Sequence, residues 1–147
     1  MLNNKFEAST LLLRVMLGIT FFVHGLVKFQ GGIENIVGWF DSIGLPGFLA
    51  YGVALVEMIG GAALVLGLGS RIVSGLHALM MIGATIKVKL SVGFLGNGQM
   101  AGYELDLALL VMTVFIVING SKMFALDQLI YKGNKEDKTS FSKSLTN

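Results

Sequence analysis

Four apolar segments, each roughly 17 to 22 residues long, constrain this chain more than any other feature. They run over about Leu11–Phe29, Phe48–Leu68, Ile72–Leu90 and Tyr103–Asn119. At ~1.5 Å of rise per residue, each is close to the length that a helix needs to cross the hydrocarbon layer. No backbone donor can stay bare in lipid, so each segment is expected to be a helix. The expected fold class is all-α, an integral membrane four-helix bundle. Composition agrees, since 54% of the 147 residues are hydrophobic, only 14% are charged, and the mean hydropathy is +0.75. Ordinary soluble domains carry far more charge. The first segment is expected to persist as a span rather than a cleaved signal, because it reaches Phe29, contains Arg14 and His24, and has no small-x-small site after it.

The connections carry their own pattern. After Gly31-Gly32, Ile33, Ile36, Val37, Phe40 and Ile43 recur at helical spacing beside Trp39, Glu34 and Asp41. That pattern predicts a short interfacial helix between spans 1 and 2, closed by Gly44 before Pro46, the single proline. Gly67, Gly69 and Ser70 form a tight turn, and Gly93, Gly96, Asn97, Gly98 and Gly102 a flexible connection. After Asn119-Gly120, Met123, Phe124, Leu126, Leu129 and Ile130 read as a second surface-lying amphipathic stretch. Residues 1–130 thus form one domain, and 131–147 a polar tail expected to be disordered.

An even number of spans puts both termini on one side, with Lys5, Arg71, Lys122, Lys132, Lys135, Lys138 and Lys143. The opposite side holds Lys28, Lys87 and Lys89 against Glu34, Asp41 and Glu104. The positive-inside bias therefore predicts a multi-pass protein of the cell membrane with both termini cytoplasmic. The basic residues form no folded, aromatic-interleaved patch, which sets nucleic acid aside despite a net charge of +2. With Cys 0, thiolate nucleophiles, disulfide exchange and iron–sulfur ligation are excluded. No intrinsic cofactor is evident, so redox work would need a bound or shared carrier. No metal site is expected either: no HxxxH or ExxH pair occurs, and His77 lies near the cytoplasmic side, far from His24.

The ionisable residues left inside the spans carry the functional information, because each must be paired, hydrated or drawn to the interface. From the helix rise alone, His24 falls roughly 8 Å and Glu57 roughly 13 Å inside the outer edge. Lys87, Glu104 and Asp106 fall within roughly 5 Å of that edge, with Lys28 at the boundary. Lys87 and Lys89 are two residues apart, as are Glu104 and Asp106, so at most one of each pair faces well inward. On the first span Arg14, Gly18, Phe21, Gly25 and Lys28 share a stripe, and on the second Glu57 shares a face with Ala54, Gly60, Gly61 and Leu64. The small residues around Glu57 predict that this face turns inward. Each charge also has a structural reading. The lysines can snorkel, Arg14 can reach lipid phosphates, and His24 can pack between helices. Glu57 lies too deep to snorkel; Lys87 is its expected partner, with His24 and Lys28 as alternatives.

The segments LLLRVMLGITFFVHGLVKF, GLP, LVEMIGGAALVLGLGSR, SVGFLGNGQMAGYEL and GSKMFALDQ together resemble the DoxX family of small four-helix membrane proteins, over about residues 8 to 130. The resemblance implies a membrane component linked to oxidoreduction. The family is named for a subunit of a thiosulfate:quinone oxidoreductase and includes members associated with quinone and catechol stress in bacilli. By position, Arg14, His24, Gly25, Lys28, Glu57, Gly61, Arg71 and Glu104 fall on its pattern, and Lys87 sits where relatives often carry a basic residue or histidine. GSKMF replaces the more usual glycine-rich ending.

Three functions compete. In the first, an oxidoreductase component binds a quinone or small aromatic compound in the outer half of the bundle. Glu57, Lys87, His24 and Glu104 are then the candidate catalytic groups, and Arg14, Lys28 and Asp106 the candidate binding groups. A soluble or membrane redox partner would supply electrons. In the second, the same charges line a path for a small solute or proton, for which a homo-oligomer would supply the room. In the third, the chain is a non-catalytic scaffold docking a soluble redox enzyme.

Overall fold

A computed structural model describes residues 2–128 of the chain. Its helices are α1 (Leu2–Gln30), α2 (Ile33–Ser42), α3 (Phe48–Leu66), α4 (Ser70–Ala84) and α5 (Glu104–Asn119), with a π-helical turn, Thr85–Lys89, continuing α4. Among the described residues there is no strand, only an isolated antiparallel bridge between Gly96 and Ala101. The all-helical expectation holds. Three helical stretches are long and apolar enough to cross a membrane: Asn4–Gln30, Phe48–Leu66 and Ser70–Lys89. The fourth apolar helix, α5, has 16 residues and falls short of that length. The polar tail 131–147 and the Leu129-Ile130 end of the surface stretch lie outside the described residues.

Two boundaries differ from the sequence expectation for local reasons. Helix α1 begins at Leu2 rather than near Leu11, because nothing in the polar segment before the apolar run breaks a helix. There Ser9 and Thr10 fold their hydroxyls back onto the Lys5 and Phe6 carbonyls, at 2.9 and 2.8 Å. At the far end of α4 the ladder widens, with the Leu90 N–H donating to the Thr85 carbonyl at 2.8 Å. Such π turns concentrate at functional sites.

The bundle is built on backbone contact between α1 and α3, which run antiparallel. Gly18 of α1 faces Gly61 and Val65 of α3, whereas Gly25 faces Met58 and Ala54. A Cβ on Gly61 would stand 2.3 Å from the Phe22 backbone nitrogen, so only glycine admits this approach. Helix α4 lies against α3 and α5, closing a core of Leu17, Phe21, Leu64, Met81, Leu109 and Ile116. Arg71 fastens α4 to the C-terminus of α5, donating from Nε to the Val117 carbonyl and from Nη2 to that of Ile118. These are carbonyls that a helix end leaves without partners.

Helix α2 sits at the other end of the molecule, between α1 and α3. Asp41 accepts the Gly47 N–H at 2.8 Å, and the Tyr51 hydroxyl donates to Glu34, tying α2 to the start of α3. Its Phe40 is buried and Trp39 stacks edge-on against it, with ring centroids 5.5 Å apart. This end, with α2 and the 90–103 loop, is called the cavity end below; the opposite end carries the start of α1 and the segment after α5.

Candidate functional site

The cavity end encloses a space of about 400 Å³ to which all five helices and the π turn contribute. Phe21, His24 and Lys28 come from α1, Trp39 and Phe40 from α2, and Val53 and Glu57 from α3. Met80 and Met81 on α4, Lys87 and Lys89 on the π turn, and Asp106 and Leu109 on α5 complete it. The volume lies in the range of small-molecule sites, and the wall is mostly apolar and aromatic with few polar groups, as such sites require.

Those polar groups are arranged as two ion pairs and two uncommitted bases. Lys28 pairs with Glu57, which is 4% exposed. Lys89 Nζ lies 2.7 Å from Asp106 Oδ2, in a close ionic contact rather than an aligned hydrogen bond. The partner of Glu57 is therefore Lys28, not the Lys87 that its charge and depth suggested. The close α1–α3 approach at Gly18, Gly25 and Gly61 sets Lys28 of α1 against Glu57 of α3, one helix turn from His24. Lys87 is exposed at the rim and, like His24, forms no side-chain hydrogen bond or ion pair among the described residues. Both nonetheless border the cavity.

Of the carboxylates two apart on α5, Asp106 is buried in the cavity wall and Glu104 is exposed away from it, as alternate helix faces demand. Both Lys87 and Lys89 reach the cavity, because long side chains on a helix end can turn to the same opening. The candidates brought together are thus Glu57, Lys28, His24, Lys87 and Asp106; Glu104 and Arg14 are not among them.

Arg14 lies at the opposite end, fully buried. Its Nη1 donates to the Ser121 carbonyl and hydroxyl at 3.4 and 3.3 Å, and Nη2 to the Phe124 carbonyl at 3.2 Å. Its guanidinium anchors the segment after α5, which Glu7 also holds by accepting the Lys122 and Met123 N–H groups, at 3.2 and 3.3 Å. That role is structural, and a guanidinium that faces backbone carbonyls cannot also face a ligand in the distant cavity.

Sequence reasoning missed Lys89, read as a snorkelling residue, and the aromatic roof from α2. For the Lys89–Asp106 pair the sequence shows only that two lysines and two carboxylates stand near the same edge, not which of them meet. The Trp39-Phe40 roof had none, because it depends on how α2 folds back over α3.

The DoxX family model matches residues 9–90, which run from within α1 to the π turn and hold every cavity residue except those of α5. A Bacillus subtilis (strain 168) protein named "Putative oxidoreductase CatD" is 48% identical over 139 residues, covering 95% of this chain and 99% of that protein. A Mycobacterium tuberculosis (strain ATCC 25618 / H37Rv) protein named "Uncharacterized membrane protein Rv3486" is 28% identical over 142 residues, covering 90% of this chain and 87% of that protein. No solved structure matches the chain. With a family match over more than half its length, a full-length relative and three helices able to span a bilayer, this chain is a membrane protein of the DoxX family.

Proposed function

We propose that this protein is a membrane-embedded oxidoreductase component whose cavity binds a quinone or a small quinone-like aromatic compound and which works with a partner redox enzyme. One observation carries the reading: two ion pairs and two uncommitted bases converge on an aromatic-walled cavity of about 400 Å³. The name of the Bacillus subtilis relative agrees with it. In this reading α5 is the fourth span, since its 16 residues rise roughly 24 Å and it packs along α4 throughout. Helix α2 lies in the interface, the cavity opens toward the outer leaflet, and both termini are cytoplasmic in the cell membrane.

The residues present fit such a ligand. Phe21, Trp39 and Phe40 offer faces and edges for a flat ring. Lys87 and His24 are free to donate to ring oxygens and to stabilise negative charge developing there. Glu57, whose counter-ion Lys28 is already in place, carries the proton. The Lys89–Asp106 pair holds the π turn to α5 and keeps the wall closed. A bound quinone would supply the electron-accepting chemistry. With no cysteine in the chain, electrons come from the partner.

Trp39 is the single tryptophan and borders the cavity, so it reports on occupancy. Menadione and duroquinone titrated into purified protein are expected to quench Trp39 and raise the melting temperature by mass action. Lys87→Met is expected to weaken binding about tenfold, the worth of one charge-assisted hydrogen bond. Absence of both quenching and stabilisation with any quinone sinks the reading.

A further inference from the structure

His77 lies outside the cavity but directly beneath it. It is on α4 one helix turn before Met80 and Met81, which line the space, and its ring is 0% exposed. The imidazole is clamped on three sides. Phe21, itself a cavity residue, stacks on it with ring centroids 3.8 Å apart and planes tilted 33°. Nδ1 lies 2.9 Å from the Val73 carbonyl and, facing an oxygen that can only accept, must carry a hydrogen. The Cε1–Nε2 edge rests on α3 at Gly60, where an added Cβ would stand 2.7 Å from Cε1 and 3.3 Å from Nε2. The absence of a side chain at residue 60 is what lets the ring in.

The remaining atom, Nε2, is buried and has no hydrogen-bond partner among the described residues. Buried polar atoms in folded proteins are almost always satisfied, by protein or by ordered water. An apolar residue would fill this place without leaving an orphan. Gly60 is three residues from Glu57 on the same buried face of α3, a rise of roughly 5 Å between their backbones, so Nε2, held at Gly60, and Glu57 share one face of that helix. An ordered water hydrogen-bonded at each end bridges buried polar groups that do not touch directly.

We propose that His77 is the proton-relay residue of the cavity, exchanging a proton with Glu57 through one buried water held between them. In the forward step the imidazolium gives its Nε2 proton to the water while the water gives one of its own to the Glu57 carboxylate. A neutral imidazole, a carboxylic acid and the unchanged water result. The reverse step restores the imidazolium and the Lys28–Glu57 ion pair. Glu57 can thus be recharged from inside the bundle while a ligand covers the mouth of the cavity.

The groups around this path are few. From α1 the ring meets Phe21, with Arg14 two turns further and engaged with backbone carbonyls. From α5 the nearest charge is Asp106, paired with Lys89 at the cavity. On α4 itself the Ser74 and Ser70 hydroxyls follow at helical spacing, both buried and both unpartnered among the described residues. They extend the polar seam away from the cavity toward Arg14.

The inference rests on the proposed role of Glu57 but is tested without a ligand. The full chain, carrying isotopically labelled histidine in lipid nanodiscs, is titrated across about pH 5–9, which brackets an ordinary imidazole, and read by nitrogen NMR. The chain has two histidines, so His77→Gln assigns the signals, or His24→Gln if the first variant does not fold. The expected result is a protonation step at His77 Nε2 whose midpoint moves by about one pH unit or more in Glu57→Gln. A His77 ring that keeps one tautomer across the range, or whose midpoint ignores Glu57→Gln, overturns the relay. Quinone binding enters neither reading. Failure of quinones to bind beside an intact coupling removes the proposed ligand and leaves the relay supported, whereas quinone binding without coupling removes the relay alone.

Discussion

Replacing Gly61 by alanine tests the central packing of the bundle. The added Cβ would lie 2.3 Å from the Phe22 nitrogen, 2.6 Å from the Gly18 carbonyl oxygen and 2.8 Å from the Phe22 Cα. Carbon in van der Waals contact sits at roughly 3.5 Å, so α1 and α3 must part by about 1 Å. None of the three atoms belongs to a side chain that could swing aside, and the strain falls on the helix pair as a whole. Overpacking a core costs about 1–3 kcal/mol, and backbone-only neighbours place this case near the upper value. Gly52→Ala on the same helix supplies the control. It meets nothing within 4 Å and is expected to gain about 0.5–1 kcal/mol from helix propensity. Reversible unfolding in mixed micelles should separate the two variants by about 3–4 kcal/mol. A Gly61→Ala protein within about 0.5 kcal/mol of wild type, or a Gly52→Ala protein as damaged as Gly61→Ala, would refute the close-approach account.

Three further outcomes follow. In double-mutant cycles, Glu57→Gln with Lys28→Met should show a coupling of about 1–3 kcal/mol, and Glu57→Gln with Lys87→Met almost none; the reverse pattern would return the carboxylate to Lys87. Arg14→Met should release the segment over residues 120–128 to proteolysis while quinone affinity stays within about twofold, because the guanidinium holds Ser121 and Phe124 far from the cavity; lost affinity with the segment still protected would place Arg14 in the site. A reporter fused after Asn147 should be active in the cytoplasm, because seven of the loop, turn and tail cations lie on the side of the termini; activity only outside the membrane would invert the proposed orientation.

The legible part of the site was its neighbourhood. Helix rise and charge counting placed Glu57, His24, Lys28, Lys87 and Asp106 at one end of the bundle, and the cavity is there. Alternation on a helix separated Asp106 from Glu104 in kind, though not which of the two faced inward. Pairing was not legible, because depth along the membrane normal is one coordinate and contact needs three. Lys28 and Lys87 have similar depths, and what favours Lys28 is the close seam between α1 and α3 at Gly18, Gly25 and Gly61. Whether Arg14 faces a ligand was not legible for a related reason. A buried guanidinium held by the Ser121 and Phe124 carbonyls is indistinguishable, in sequence, from one awaiting an anion.

By itself the sequence determined the helical class, the apolar segments and the family, since these follow from hydropathy, from the need to satisfy backbone groups in lipid, and from local motifs. The tertiary structure alone decided which charges pair, that α2 roofs the cavity with Trp39 and Phe40, and that His77 stands clamped beneath it on Phe21 and Gly60. The physical reason is range. Hydropathy and helix periodicity act over a turn or a span of the chain. Ion pairing and ring stacking act over a few ångströms between residues far apart in it, and only the packed bundle sets those distances.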